Sequence, residues 1–211
     1  VKMLPSAING ISGVISPTLL GSNVTVSAQQ NGTIVSATTP NASTGEFFLS
    51  RLAPGNYDVV ITADNSAAAV IGAVPVASTT STTSLPTAAA PLTLAAGTMG
   101  SIGGTVTMTP PSTTEVAYIA AKQTVGAGPV TIKYQGADLA GGAYTIANLP
   151  VAAPQYVAYS AARPLVLAPA AGLTAGSYRV EASATGYAAK GVDAVSIAAQ
   201  NQTAVNFTLT P

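Results

Sequence analysis

The chain has 211 residues, of which 48% are hydrophobic and only 7% charged, with seven basic and seven acidic residues, no histidine and no cysteine. Soluble domains usually carry about 25% charge, so the polar surface here falls to Ser, Thr, Asn, Gln and backbone. These absences exclude His-based zinc sites, the Ser/His/Asp triad, thiolate nucleophiles and disulfides, and the scattered single charges exclude the basic stripe that nucleic acid requires.

No stretch reads as a membrane span, because the longest apolar run, 67–77, is interrupted by Pro75 and falls short of the ~20 residues a helix needs. The chain opens with Val1 rather than Met, as a chain does after loss of a signal peptide or as a fragment does. Residues 1–9 belong to no repeat and form a short arm carrying Val1, Met3, Leu4 and Ile8.

Two diverged copies of one pattern follow. The first opens with Ile11-Ser12-Gly13-Val14-Ile15 and continues through Val24-Thr25-Val26, Gly45-Glu46-Phe47-Phe48-Leu49, the bend Leu52-Ala53-Pro54-Gly55-Asn56-Tyr57, and Pro91-Leu92-Thr93-Leu94. The second reads Ile102-Gly103-Gly104-Thr105-Val106, Val130-Thr131-Ile132, Gly142-Ala143-Tyr144-Thr145-Ile146, Leu173-Thr174-Ala175-Gly176-Ser177-Tyr178 and Asn206-Phe207-Thr208-Leu209. The offset between copies grows from 91 (Ile11 to Ile102) through 97 (Gly45 to Gly142) to 121 (Tyr57 to Tyr178). Loops lengthen more cheaply than strands, so the second copy is expected to carry insertions at about 109–128 and 151–171.

The periodicity is that of strands. Tyr57, Val59, Ile61 and Ala63 share one face, as do Tyr178, Val180 and Ala182, with Arg179 and Glu181 on the other. Gln30-Asn31-Gly32, Pro40-Asn41, Ser43-Thr44-Gly45 and Pro54-Gly55 bracket the runs as turns. Helix is expected at most over 115–122 or 156–162, and the Ser/Thr/Ala-rich stretch 79–91 reads as a connecting loop. The expectation is an all-β chain of two tandem immunoglobulin/transthyretin-like β-sandwich domains, 10–96 and 97–211, each of about seven strands.

The repeat unit resembles the carboxypeptidase regulatory-like domain, a transthyretin-type sandwich. The first copy carries that family's I-x-G-x-V opening at Ile11, Gly13 and Ile15, and its V-x-V strand at Val24 and Val26. Its G-x-F/Y turn falls at Gly45, Phe47 and Leu49, and its L-x-P-G-x-Y bend at Leu52, Pro54, Gly55 and Tyr57. The resemblance spans about 10–95; over 101–210 it is weaker, because Ala175 replaces the proline and the bend is split. It implies a sandwich fold common in exported proteins and no activity.

Seven carboxylates (Glu46, Asp58, Asp64, Glu115, Asp138, Glu181 and Asp193) form no cluster with metal-loop spacing, and Glu46 and Asp58 on neighbouring predicted strands read as outward, solvated groups. Gly100–Gly104 lacks the ending of a phosphate-binding loop. The chain is expected to be no enzyme and to need no cofactor. Tyr118, Tyr134, Tyr156 and Tyr159 are candidates for a small aromatic platform, with packing of the insertions as the plainer use. Five of nine asparagines, Asn23, Asn31, Asn41, Asn201 and Asn206, stand in N-x-[ST] sequons and are candidate glycosylation sites.

These features converge on a secreted or cell-surface structural protein with itself as the expected partner, polymerising as a filament. In that reading the arm adds as a strand to a neighbouring subunit. The insertion, with Tyr156, Tyr159, Leu165, Val166 and Leu167, covers part of the contact. The alternative is an accessory module that binds cell-surface glycans or proteins.

Overall fold

The computed structural model describes residues 9–16, 23–78, 81–85, 91–126, 128–138, 142–161, 165–199 and 202–211. In the N-terminal half the alternating segments form strands β1 (Gly10–Val14), β2 (Thr25–Gln30), β3 (Thr33–Thr38), β4 (Glu46–Ser50), β5 (Gly55–Thr62), β6 (Ala69–Val76) and β7 (Thr82–Ser84). They make two sheets, β4-β1-β7 and β6-β5-β2-β3. The inward-facing Ile11, Leu49, Val26, Tyr57, Val59, Ile61 and Ile71 form the core between them. Asn31 and Gly32, at φ 50° and 74°, turn the β2–β3 hairpin as the paired left-handed residues of a two-residue loop must.

The C-terminal half repeats this order. Its strands are β8 (Met99–Met108), β9 (Tyr118–Val125), β10 (Gly128–Gly136), β11 (Ala143–Pro150), β12 (Gln155–Ala158), β13 (Ala168–Pro169), β14 (Ser177–Ser183), β15 (Lys190–Ser196), β16 (Gln202–Ala204) and β17 (Phe207–Leu209). One sheet runs β10-β9-β14-β15, matching β3-β2-β5-β6, and the other runs β11-β8-β16, matching β4-β1-β7. The parallel pairing of β17 with β8 matches the single parallel bridge of Leu92 to Ile15.

Two details tie the copies together at atomic level. Gly45 and Gly142 sit at φ +72° and +64°, and a Cβ on either would lie 2.1 or 2.0 Å from the carbonyl oxygen of Ile15 or Val106. Only glycine fits such a position. The Tyr57 hydroxyl donates to the Ala53 carbonyl 4 residues earlier, and the Tyr178 hydroxyl donates to the Pro150 carbonyl 28 residues earlier. Ala53 and Pro150 each follow a buried leucine, Leu52 and Leu149. The bend is therefore one structure, opened in the second copy by the intervening segment.

Among the described residues there is no helix; the stretches expected as helix at most hold part of β9, from Tyr118, and part of β12, to Ala158. Residues 109–128 hold β9, which pairs between β10 and β14 just as β2 pairs between β3 and β5. The partner of β2 is thus β9, and Val130-Thr131-Ile132 lies in β10, the counterpart of β3. Within 79–91, β7 pairs in parallel with β1, so part of that stretch is sheet. Glu46 and Asp58 lie on β4 and β5, in separate sheets, and so are not strand neighbours.

Candidate functional site: the junction of the two halves

After β11 the chain leaves the C-terminal half and crosses to the N-terminal one. There β12 adds in parallel to the edge of β6, with Gln155 beside Ala69 and Tyr156 beside Val70, and β13 pairs with β12. The result is a six-stranded sheet, β13-β12-β6-β5-β2-β3. An uncovered sheet edge invites pairing with another chain; here a segment of the same chain covers it. Val157, Tyr159, Leu165 and Leu167 pack against the N-terminal core. The Gln155 side chain accepts a hydrogen bond from the Ala95 amide at 2.8 Å.

The outer face of that sheet is buried as well. Val60, Ala68 and Val70 belong to one apolar cluster with Ile119, Ala121, Val130 and Ile146 of the C-terminal half. Each Val or Ile side chain among them removed from water is worth about 1.5–3 kcal/mol, and each alanine methyl less. The two halves share this core, which makes them one packed unit.

Polar contacts complete the junction. Gln29 is fully buried; its Oε1 accepts from the Thr131 amide at 2.8 Å, and its Nε2 donates to the Thr131 carbonyl at 2.7 Å. One side-chain amide thus pairs with the open edge of β10 as a neighbouring strand would. The Thr131 hydroxyl donates to the Gly32 carbonyl at 2.6 Å. Nearby, Asp64 accepts from Asn23 Nδ2 at 2.6 Å and from Asn148 Nδ2 at 3.1 Å, and it lies 4.0 Å from the Lys133 ammonium. Burial pushes the Lys133 pKa down, and the Asp64 carboxylate pulls it part of the way back.

Two further ion pairs lie on the outer face of the C-terminal sheet. Lys122 and Glu181 pair at 2.9 Å, and Arg179 and Asp193 at 2.6 Å. Tyr118 and Tyr134 are more than half exposed on the same sheet, on the adjacent strands β9 and β10. Tyr156 and Tyr159 are not with them; they sit at the β6 edge, so the four tyrosines form no single platform.

The other sequence-derived residues fall as follows. Val1, Met3, Leu4 and Ile8 lie outside the described residues, as does Asn201. The arm's last residue, Asn9, is buried, donates through Nδ2 to the Leu52 carbonyl and accepts from the Arg51 amide. Val166 is 70% exposed, unlike the neighbouring Leu165 and Leu167. Asn23, Asn31, Asn41 and Asn206 are all exposed. Asn23 Nδ2, the atom a glycan would take, already donates to Asp64, whereas Asn41 and Asn206 engage only their oxygens. Sequence reasoning missed Gln29, Asp64, Thr131, Lys133 and Asn148. One signal was there: Val59-Val60-Ile61 and Ala67–Ile71 are apolar on both faces, as strands covered on both sides are.

Among the described residues no group of three or more Asp and Glu side chains comes together, and no helix is long and apolar enough to cross a membrane. No protein-family model matches the chain. No curated protein matches it either.

Among solved structures, one match is a type II cohesin-X-dockerin complex from Acetivibrio cellulolyticus, at 24% identity and TM-score 0.35, covering 42% of this chain. The chain spans 58% of the length of that one. The minor pilin of Streptococcus agalactiae aligns over 97% of this chain and 96% of its own at 10% identity and TM-score 0.32. The shaft pilin of Lactobacillus rhamnosus GG aligns over 97% of both at 9% identity and TM-score 0.27. At such scores the fold is read from the strand pairing itself.

Proposed function

We propose that this chain is a non-catalytic structural subunit of an extracellular filament, built from two tandem carboxypeptidase regulatory-like sandwich domains, 10–96 and 97–211, and joined copy to copy by strand addition. The observation that carries this reading is the β12–β6 pairing: the fold already completes a sheet by accepting a remote segment as an added strand. Residues 1–8 are the donor to the next copy, starting from the point where Asn9 is anchored. The acceptor is β3, which pairs with β2 alone and carries neither charge nor proline over Thr33–Thr38. The edge strand β15 is guarded by contrast, with Lys190, Asp193 and a left-handed Ala194. Because the 151–171 segment is engaged within its own chain, the contact between copies falls to the arm and the β3 edge.

The test is electron microscopy with size-exclusion chromatography of the full chain, of a chain lacking residues 1–8, and of Val35→Lys on β3. Assembly by the full chain and its loss in both variants is the expected result. A monomeric full chain, or a truncated chain that assembles unchanged, overturns the reading.

A further inference from the structure

Beside the junction lies a cleft of about 330 Å3. Gln30 and Asn31 line it from the β2–β3 turn, Asn56 and Asp58 from β5, and Tyr156 from β12, with Gln29 beneath. Its volume is at the lower end of the ~300–1,000 Å3 typical of small-molecule sites.

Each wall is held in place and still leaves polar atoms free to face the cleft. The left-handed pair Asn31-Gly32 fixes the turn. Asp58 Oδ1 accepts from the Ala73 amide at 3.2 Å, where the register between β5 and β6 shifts, leaving Oδ2 unengaged. Gln30 Nε2 donates to the Asn56 carbonyl at 3.3 Å, which leaves its own oxygen available. Tyr156 is wedged between two glycines: a Cβ on Gly72 or Gly126 would lie 2.6 Å from its hydroxyl oxygen or its ring. Among the described residues, the side-chain amides of Asn31 and Asn56 and the Tyr156 hydroxyl have no hydrogen-bond partner. No lysine or arginine lines the cleft.

This is an array of groups that both donate and accept, fixed on strands, around an aromatic wall and one carboxylate. A sugar ring meets that description. Its hydroxyls each donate and accept, matching amides and a carboxylate, and its C–H face packs on a ring. The Asp58 charge, with no cation beside it, disfavours uronic acids, sialic acids and phosphates.

We propose that the cleft binds a neutral saccharide, holding one terminal pyranose between Tyr156 and the Asn31, Asn56 and Asp58 side chains. The proposal does not depend on filament assembly.

The test is titration calorimetry and saturation-transfer NMR on the intact chain with lactose, maltose, cellobiose and diacetylchitobiose, and with glucuronic acid and inorganic phosphate as anionic probes. At least one neutral disaccharide is expected to bind with Kd of about 1 mM or tighter. Asn56→Ala and Asp58→Asn should each weaken it about tenfold, the loss expected when one hydrogen-bond partner is removed. Asn56 is exposed, so that variant keeps its melting temperature, and Tyr118→Ala on the far sheet leaves affinity unchanged. No neutral sugar bound, preference for the anionic probes, or loss on Tyr118→Ala rather than Asn56→Ala overturns the proposal.

Discussion

Replacing Gln29 tests whether the two halves are clasped or merely adjacent. In Gln29→Ala the Thr131 amide and carbonyl lose their partners at 2.8 and 2.7 Å. Thr131 is only 4% exposed, so water does not readily replace the lost amide. Each buried group left unpaired costs about 1–3 kcal/mol, or about 2–6 kcal/mol for the two. A chain of this size loses about 2–4 °C per kcal/mol, so calorimetry should show a fall of about 4 °C or more. Gln29→Glu adds a pH test. Its carboxyl accepts from the Thr131 amide but, once ionised, has no hydrogen to give the carbonyl. Burial and that facing carbonyl raise its pKa above the ~4.3 of an unfolded chain. The variant is thus most stable below about pH 4 and loses stability as pH rises through its folded pKa, a step the parent chain lacks. A drop of less than about 2 °C in Gln29→Ala, or a Gln29→Glu variant indifferent to pH, would refute the clasp.

Gly45→Ala and Gly142→Ala should be similarly severe, each costing several kcal/mol, because both force a Cβ into a backbone carbonyl at positive φ; soluble yield and denaturant midpoints check this. Tyr178→Phe leaves the buried Pro150 carbonyl without its donor and should cost about 1–3 kcal/mol by urea unfolding. Burial pushes the Tyr144 phenol up to about 12 and the Tyr178 phenol higher still. Their unfolded values are near ~10, so stability should hold up to that pH and decline as pH climbs further, and absorbance near 295 nm should show both phenols still protonated there. Shortening 151–171 to the length of the Ala53–Asn56 bend should leave the C-terminal sheets folded and bare the β6 edge, with light scattering reporting association of the variant.

The all-β architecture was legible because most strands bury alternate residues: Tyr57, Val59 and Ile61 in β5, and Tyr178, Val180 and Ala182 in β14, behave as their spacing predicts. The Gly45 and Gly142 turns were legible because backbone crowding leaves one residue type. β9 was not. Its inward positions are Ile119, Ala121, Gln123 and Val125, so a buried glutamine and a small alanine mask the alternation, and Ala and Lys between them imitate helix. β10 then attracted the alignment that belongs to β9, because its bulge at Thr131–Lys133 buries three successive residues. The route of 151–171 was hidden for another reason. Nothing local in Gln155–Ala158 states which sheet it joins; the β6 edge, 86 residues earlier in sequence (Ala69 beside Gln155), decides it. The cleft was equally out of reach, since it exists only where β2, β5 and β12 meet.

The crossing segment also sets an order of events during synthesis. When β6 leaves the ribosome its neighbour β12 has not been made, and Val60 and Val70 still face water. The first half therefore emerges with an unpaired edge and a greasy face, and it closes only after about residue 170 has been added. Such distant pairing is slow to form and exposes the chain to wrong partners meanwhile.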